Sequence, residues 1–286
     1  MSIQTVTEPT QLDGSGTERI LIASDGGAAG LAALRWAIAH AGARAVDIEL
    51  VHVVSPRSSS EEQEAAREAL HRAEAVLRLV LPAAEVTVAT QSGDPAEVLA
   101  RASAFNDVLV IGTHHGHRGS RLFRGLPQRL AAIAHCTVVV VPSEWIAAPG
   151  PVVLGVAADP VAGAALGFAQ REAERTGRPL TLAHAWDLPG VGAVPADEDP
   201  EVESIPDRQR RALDRLDALV RRRAPGLQIG TELRVGAAVP TLLAAARNAS
   251  LLVVGRPARS SVSRALLGSV GRGVLAAPPC PVAVIP

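Results

Sequence analysis

The chain is written twice, and that repetition constrains its fold more than any single motif. Residues 251–270 read as an apolar strand LLVV, then Gly255, a loop rich in Arg and Ser, and Gly268-Ser269-Val270 opening a helical pattern. Residues 108–127 give the same order: VLVI, Gly112, a polar loop, and Gly125 at the same separation. Further towards the N-terminus, residues 152–156 match residues 20–24, Phe168 matches Trp36, and LAHAW around His184 matches LVHVV around His52, all at one constant offset. Gly236 matches Gly93 at a larger offset that the two later glycine pairs share, so the second copy contains an insertion. It falls in the acidic, Pro-rich loop 187–206, which is expected to be mobile. Two copies are too few for a solenoid; the chain should fold as two like domains.

Each copy alternates strands and helices. In the first, the run RILIAS ends at Asp25-Gly26-Gly27 and is followed by the helical pattern AAGLAALRWAIAHAGA. A strand VDIELVHVV, an amphipathic helix over residues 61–80, a strand over 85–90 and a short helix with Pro95 near its start come next. The strand at 108–111, the glycine loop, a helix from about Pro127 and a strand over 137–141 close the unit. The strands are continuous apolar runs, as in a sheet covered on both faces. The expectation is α/β, with two tandem doubly wound five-stranded parallel-sheet domains. The boundaries read as a flexible tail over 1–17, a first domain over 18–143, a linker over 144–150 and a second domain over 151–286.

Several function classes are excluded at this level. The apolar runs are strand-sized, far short of a membrane-spanning helix, and the first residues lack the basic start and apolar stretch of an export signal. A formal charge of −1 and 2% aromatic residues, none of them Tyr, argue against nucleic acid. All 28 basic residues are arginine, so neither a lysine Schiff base nor a Walker-type phosphate loop is available. Cys136 and Cys280 each precede an apolar strand and read as buried thiols, which suits a reducing cytoplasm. No nucleophile-base motif is present. His114, His115 and His117 share one loop without a carboxylate at ligand spacing, a poor closed metal site. His52 and His184 read as structural, and Arg221, Arg222 and Arg223 as a solvated helix terminus whose charge suits the dipole.

The Asp-Gly after the first strand, the LVHVV strand, GDPAE before the third helix, and VIG or VVG followed by a loop and a glycine together resemble the universal stress protein family, in its tandem form. The resemblance covers nearly the whole chain. It implies ATP with Mg²⁺, contacts to partner proteins, and a stress or dormancy regulator in the cytoplasm. It also implies pairing through the last strand of each domain, here residues 138–141 and 282–285, in a dimer or within one chain. Nucleotide-binding members of that family have G-x2-G-x9-G-[ST] after the fourth strand. Glycines there allow close approach of phosphate oxygens, and the helix start offers unpaired N–H groups.

Measured against that pattern, the two copies have complementary losses. The first keeps Asp25, Gly26 and Val53 for ribose and base, with Gly112 and Gly125 correctly spaced. There His115 takes the middle glycine position, Gly116 falls one place late, Leu126 replaces the Ser/Thr, and Pro127 removes an amide donor. The second keeps Gly255, Gly268, Ser269 and Val270 but has Ala258 for the middle glycine and Ala157 for the strand-one aspartate. Each residue also has a plainer reading. The glycines can simply shape a turn, Ser269 and Asp25 can cap helices, and Arg256, Arg259 and Arg264 with their serines can be a solvated loop instead of a phosphate grip. The sequence leaves three functions open: a nucleotide-responsive regulator binding weakly or in one domain, a scaffold working by protein contacts alone, and a slow ATPase.

Overall fold

The structure is a computed structural model and describes residues 16–56, 58–113, 125–156, 163–186, 205–256 and 267–286. In the first half, β1 (Glu18–Ala23), β2 (Val46–Val54), β3 (Glu85–Ser92), β4 (Val108–Thr113) and β5 (Thr137–Pro142) alternate with α1 (Ala28–Ala41), α2 (Ser60–Val80), α3 (Pro95–Ala102) and α4 (Leu126–Ile133). In the second half, β6 (Val152–Val156), β7 (Leu180–Trp186), β8 (Ile229–Val235), β9 (Leu251–Gly255) and β10 (Val282–Ile285) alternate with α5 (Gly163–Thr176), α6 (Ile205–Arg223), α7 (Ala238–Ala246) and α8 (Ser269–Ala276). Local chemistry sets several of these starts. Ser59 and Glu62 form a reciprocal capping box at α2, and Asp94 accepts from the amides of Ala96 and Glu97 at α3, where Pro95 occupies the first turn.

The two five-stranded parallel sheets do not remain separate. They join into one ten-stranded sheet in the order β3-β2-β1-β4-β5-β10-β9-β6-β7-β8. The join is the only antiparallel step among the described pairings: Val282 lies opposite Val140, Ala283 opposite Val139 and Val284 opposite Val138. The pairing expected through the last strands is therefore made within one chain, and both apolar edges are covered there. β3 and β8 form the outer edges.

Strand side chains alternate between two continuous cores, one on each face. Ile20, Ile22, Val139 and Val141 point to the face covered by α1, α2, α5 and α6, where Trp36, Leu70, Phe168 and Leu213 are buried. Leu21, Val138 and Val140 point to the face of α3, α4, α7 and α8, with Leu99, Leu130, Leu242 and Val274. Each core runs through both halves, so the junction is packed like the interior of a domain. Cys136 and Cys280 lie in the second of these cores as free, buried thiols, each pushed up to about 12 by desolvation.

Candidate functional site

Strand order reverses between β1 and β4 in the first half and between β6 and β9 in the second. In an open parallel sheet, loops diverge beyond the carboxyl ends of the strands at such a point and leave a crevice. The residues singled out in the sequence lie along those two edges. Asp25 and Gly26 form the turn between β1 and α1, Val53 is buried near the end of β2, Gly112 is the penultimate residue of β4, and Gly125 caps α4. Gly255 ends β9, Arg256 follows it, Gly268 caps α8, and Ser269 and Val270 form the first turn of α8. Gly116, the three loop histidines, Ala157, Ala258, Arg259 and Arg264 lie outside the described residues.

In the first half the described residues of this edge are engaged in local contacts. Asp25 uses Oδ1 to accept from the amides of Gly27, at 2.9 Å, and Gly30, at 3.3 Å, so its carboxylate orders the start of α1. Gly26 has φ +74°, and a Cβ there would lie 2.8 Å from the Ala69 methyl of α2. A Cβ on Gly112 would lie 1.9 Å from the Ala29 carbonyl oxygen: the start of α1 rests directly on the end of β4. That close approach makes Gly112 obligatory for packing, whatever else it does. At α4, Gly125 is left-handed with φ 72°, Leu126 and Pro127 are buried, and Pro127 has no N–H to offer. Arg129, in the first turn, makes two hydrogen bonds to Asp94, at 2.9 and 3.2 Å. That guanidinium holds the Asp94 carboxyl below its ordinary range.

The second half differs at each of these points. Gly255 is exposed, and among the described residues a Cβ on it would meet only the Ala165 methyl, at 3.8 Å, an ordinary contact. Gly268 is extended, with φ −56° and ψ 162°, no side chain among the described residues caps α8, and Ser269 is exposed. Arg272 occupies the position of Arg129, but the Asp94 position is taken by Ala237, and Arg272 is exposed with no carboxylate partner among the described residues. Comparing the copies residue by residue would have revealed this pair of differences in the sequence, because Arg129 and Arg272 stand at the same place in the repeat.

Arg256 takes a role that the sequence did not suggest. Its Nη1 donates to the carbonyls of Ala132 at 3.0 Å, Ala134 at 3.1 Å and Ala131 at 3.4 Å, the C-terminal end of α4 in the other half. Gln128 of α4 in turn donates to the Leu275 carbonyl at the end of α8. Arg256, a candidate phosphate contact in the sequence, serves as a cross-half helix cap, where a cation meets the negative end of the helix dipole. The paired histidines are structural, as expected: His52 Nδ1 donates to the Ser24 carbonyl and His184 Nδ1 to the Val156 carbonyl, each at 2.7 Å. Both tie the second strand of a unit to the end of its first.

This architecture defines a two-unit α/β protein with one switch point of strand order in each half. The family model for the universal stress protein family matches residues 16–142 and again 150–286, and the chain belongs to that family. It is 29% identical over 289 residues to a universal stress protein of Mycolicibacterium smegmatis, covering 93% of this chain and 96% of that one. It is 27% identical to Universal stress protein Rv2623 of Mycobacterium tuberculosis, covering 91% and 94%. A universal stress protein structure from Archaeoglobus fulgidus superposes with a TM-score of 0.65 at 17% identity, covering 93% of this chain and 95% of that one, which shows the shared fold.

Proposed function

We propose that this chain, built as domains over 18–143 and 151–286, is a cytoplasmic stress or dormancy regulator. On this reading it binds adenine nucleotide, ATP with Mg²⁺, in its second half only and signals occupancy to protein partners. The observation that supports this best is the contrast between the two helix starts. At α8 no side chain caps the first turn among the described residues, and the exposed Ser269 and Arg272, the latter without a carboxylate partner among those residues, stand at the helix start, in the half where β9 ends at an exposed Gly255. At α4 the same places hold Pro127, buried Leu126 and an arginine already bound to Asp94. A helix start with free amides and a nearby guanidinium suits phosphate oxygens, and Mg²⁺ would be held chiefly by those phosphates and water. Without the strand-one aspartate, which Ala157 replaces, ribose has fewer partners and binding is weak.

A second reading, a scaffold acting through protein contacts alone, is favoured by the local contacts that engage the described residues of the first-half edge and by the loss of that aspartate in the second. Slow ATP hydrolysis is a third. Calorimetric titration with ATP and Mg²⁺ separates them. One site is expected, weakened about fivefold by Ser269→Ala, as for one hydrogen bond worth about 1 kcal/mol, and unchanged by Asp25→Ala. No heat of binding up to millimolar ATP would refute nucleotide recognition and leave the scaffold. Loss on Asp25→Ala alone would move the site to the first half, and phosphate release in the same cell would establish turnover.

A further inference from the structure

A cleft of about 430 Å³ lies at the junction of the two halves, far in sequence from the glycine motifs. At its base is His40 of α1, only 2% exposed, with a carboxylate facing each ring nitrogen. Nε2 is 3.0 Å from both oxygens of Glu18 on β1. Nδ1 is 3.0 Å from Oε1 of Glu172 on α5, an ion-pair contact without the alignment of a hydrogen bond. The ring stacks on Trp36, with centroids 4.7 Å apart and planes 16° apart. The remaining charged groups in the cleft are Arg44, which donates to Glu18 at 2.9 Å, Arg175, which donates to Glu172 at 2.6 and 3.1 Å, and Arg171 and Glu174 towards its mouth. Arg175 also donates to the Ala39 carbonyl of α1 at 3.2 Å, so α5 grips α1 at two adjacent points.

A neutral imidazole has one N–H and one lone pair. Set between two carboxylates, it would turn that lone pair towards acceptor oxygens in a buried site, an unfavourable arrangement on whichever side it fell. Only the imidazolium presents an N–H to each carboxylate. His40 and Glu172 are also the same position in the two copies, at the offset that relates Trp36 to Phe168. In a symmetric pair of identical units such a position near the axis would meet its own copy, His against His or Glu against Glu. Joining the units in one chain lets the two diverge to opposite charges.

We propose that His40 is a proton-operated latch between the two halves: as imidazolium it bridges Glu18 and Glu172 and holds α1 against α5, and loss of the proton releases that contact. The proposal is independent of nucleotide binding.

The direction of the pH effect follows from the partners. Burial disfavours the charged ring, but Glu172 and Glu18 outweigh it and hold the His40 pKa above its ordinary 6.5. Burial likewise pushes Glu172 up, and His40 with Arg175 overcome it, leaving that carboxyl at about 2. Glu18 is lowered for the same reasons, through His40 and Arg44. A raised histidine contributes its full stabilisation below pH 6.5 and loses it as pH rises through the folded-state pKa. The lowered Glu172 contributes above its ordinary 4.5 and loses that contribution as pH falls towards about 2. The latch is therefore closed in mild acid and opens on the alkaline side.

The test is an NMR titration of the His40 ring in the full-length protein, identified by its contact with Trp36, together with amide hydrogen exchange corrected for the intrinsic pH dependence. His40 should titrate above 6.5, and exchange in α1 and α5 should accelerate through the same midpoint while amides of β2 do not respond. In Glu172→Gln the His40 midpoint should fall and exchange in the two helices should lose its pH response. A wild-type midpoint at or below 6.5, or protection of α1 and α5 that does not follow the titration, overturns the latch without need of a variant.

Discussion

Gly112 and Gly255 are the same residue of the repeat, yet the structure assigns them opposite tolerances, and replacing each by alanine tests this. A Cβ on Gly112 would lie 1.9 Å from the Ala29 carbonyl oxygen and 2.3 Å from its carbon, whereas ordinary contact begins at 3.4 Å. Both clashing atoms are backbone, so no side chain can rotate away. The start of α1 would have to retreat by about 1.5 Å, the gap between those distances, lifting Ala32, Ala33 and Trp36 off the strands they cover. Overpacking of this kind costs about 3 kcal/mol, at the upper end of the usual range. At Gly255 the added methyl meets, among the described residues, only the Ala165 methyl at 3.8 Å, and the expected change is within about 0.5 kcal/mol. At about 2 °C per kcal/mol for a chain of this size, thermal denaturation should show a fall of about 6 °C for Gly112→Ala and less than about 1 °C for Gly255→Ala. Equal shifts would refute the reasoning, because they would mean that α1 does not rest on β4 as described. Nucleotide affinity is a separate readout: Gly255→Ala should reduce it while leaving the fold intact.

Arg256→Ala should lower stability by about 2 kcal/mol, since a charged donor to buried carbonyls is lost; thermal denaturation decides it, and an unchanged melting temperature would mean that the cap on α4 contributes nothing. Cys136 and Cys280, buried and with thiols at about 12, should not react with a thiol reagent at pH 8 in the native protein and should both react once it is unfolded; fast labelling of either in the native state would contradict their burial.

Much of this was legible because it is local. Continuous apolar runs such as ILI at residues 20–22 and VVVV at 138–141 encode buried strands, Pro95 after Asp94 marks a helix start, and the offset between His52 and His184 exposes the duplication. Those features depend on neighbours in the chain, so periodicity and composition suffice to find them. The glycine spacing likewise falls at the end of the fourth strand and the start of the fourth helix of each unit, and the two copies align residue by residue.

What only the tertiary structure decided involves partners far apart in sequence. The repeat allowed its last strands to pair in a dimer or within one chain; β5 against β10 shows that one chain closes on itself. Nothing around Arg256 signals that it caps α4, and nothing around Gly112 signals the Ala29 carbonyl against it. His40 and Glu172 look unremarkable as a histidine and a glutamate on two amphipathic helices until the joined sheet brings those helices together. The sequence by itself determined two like α/β units with unequal glycine turns. The way they share one sheet, and therefore which polar groups are buried against each other, was set by packing between residues whose separation in the chain leaves no local signal.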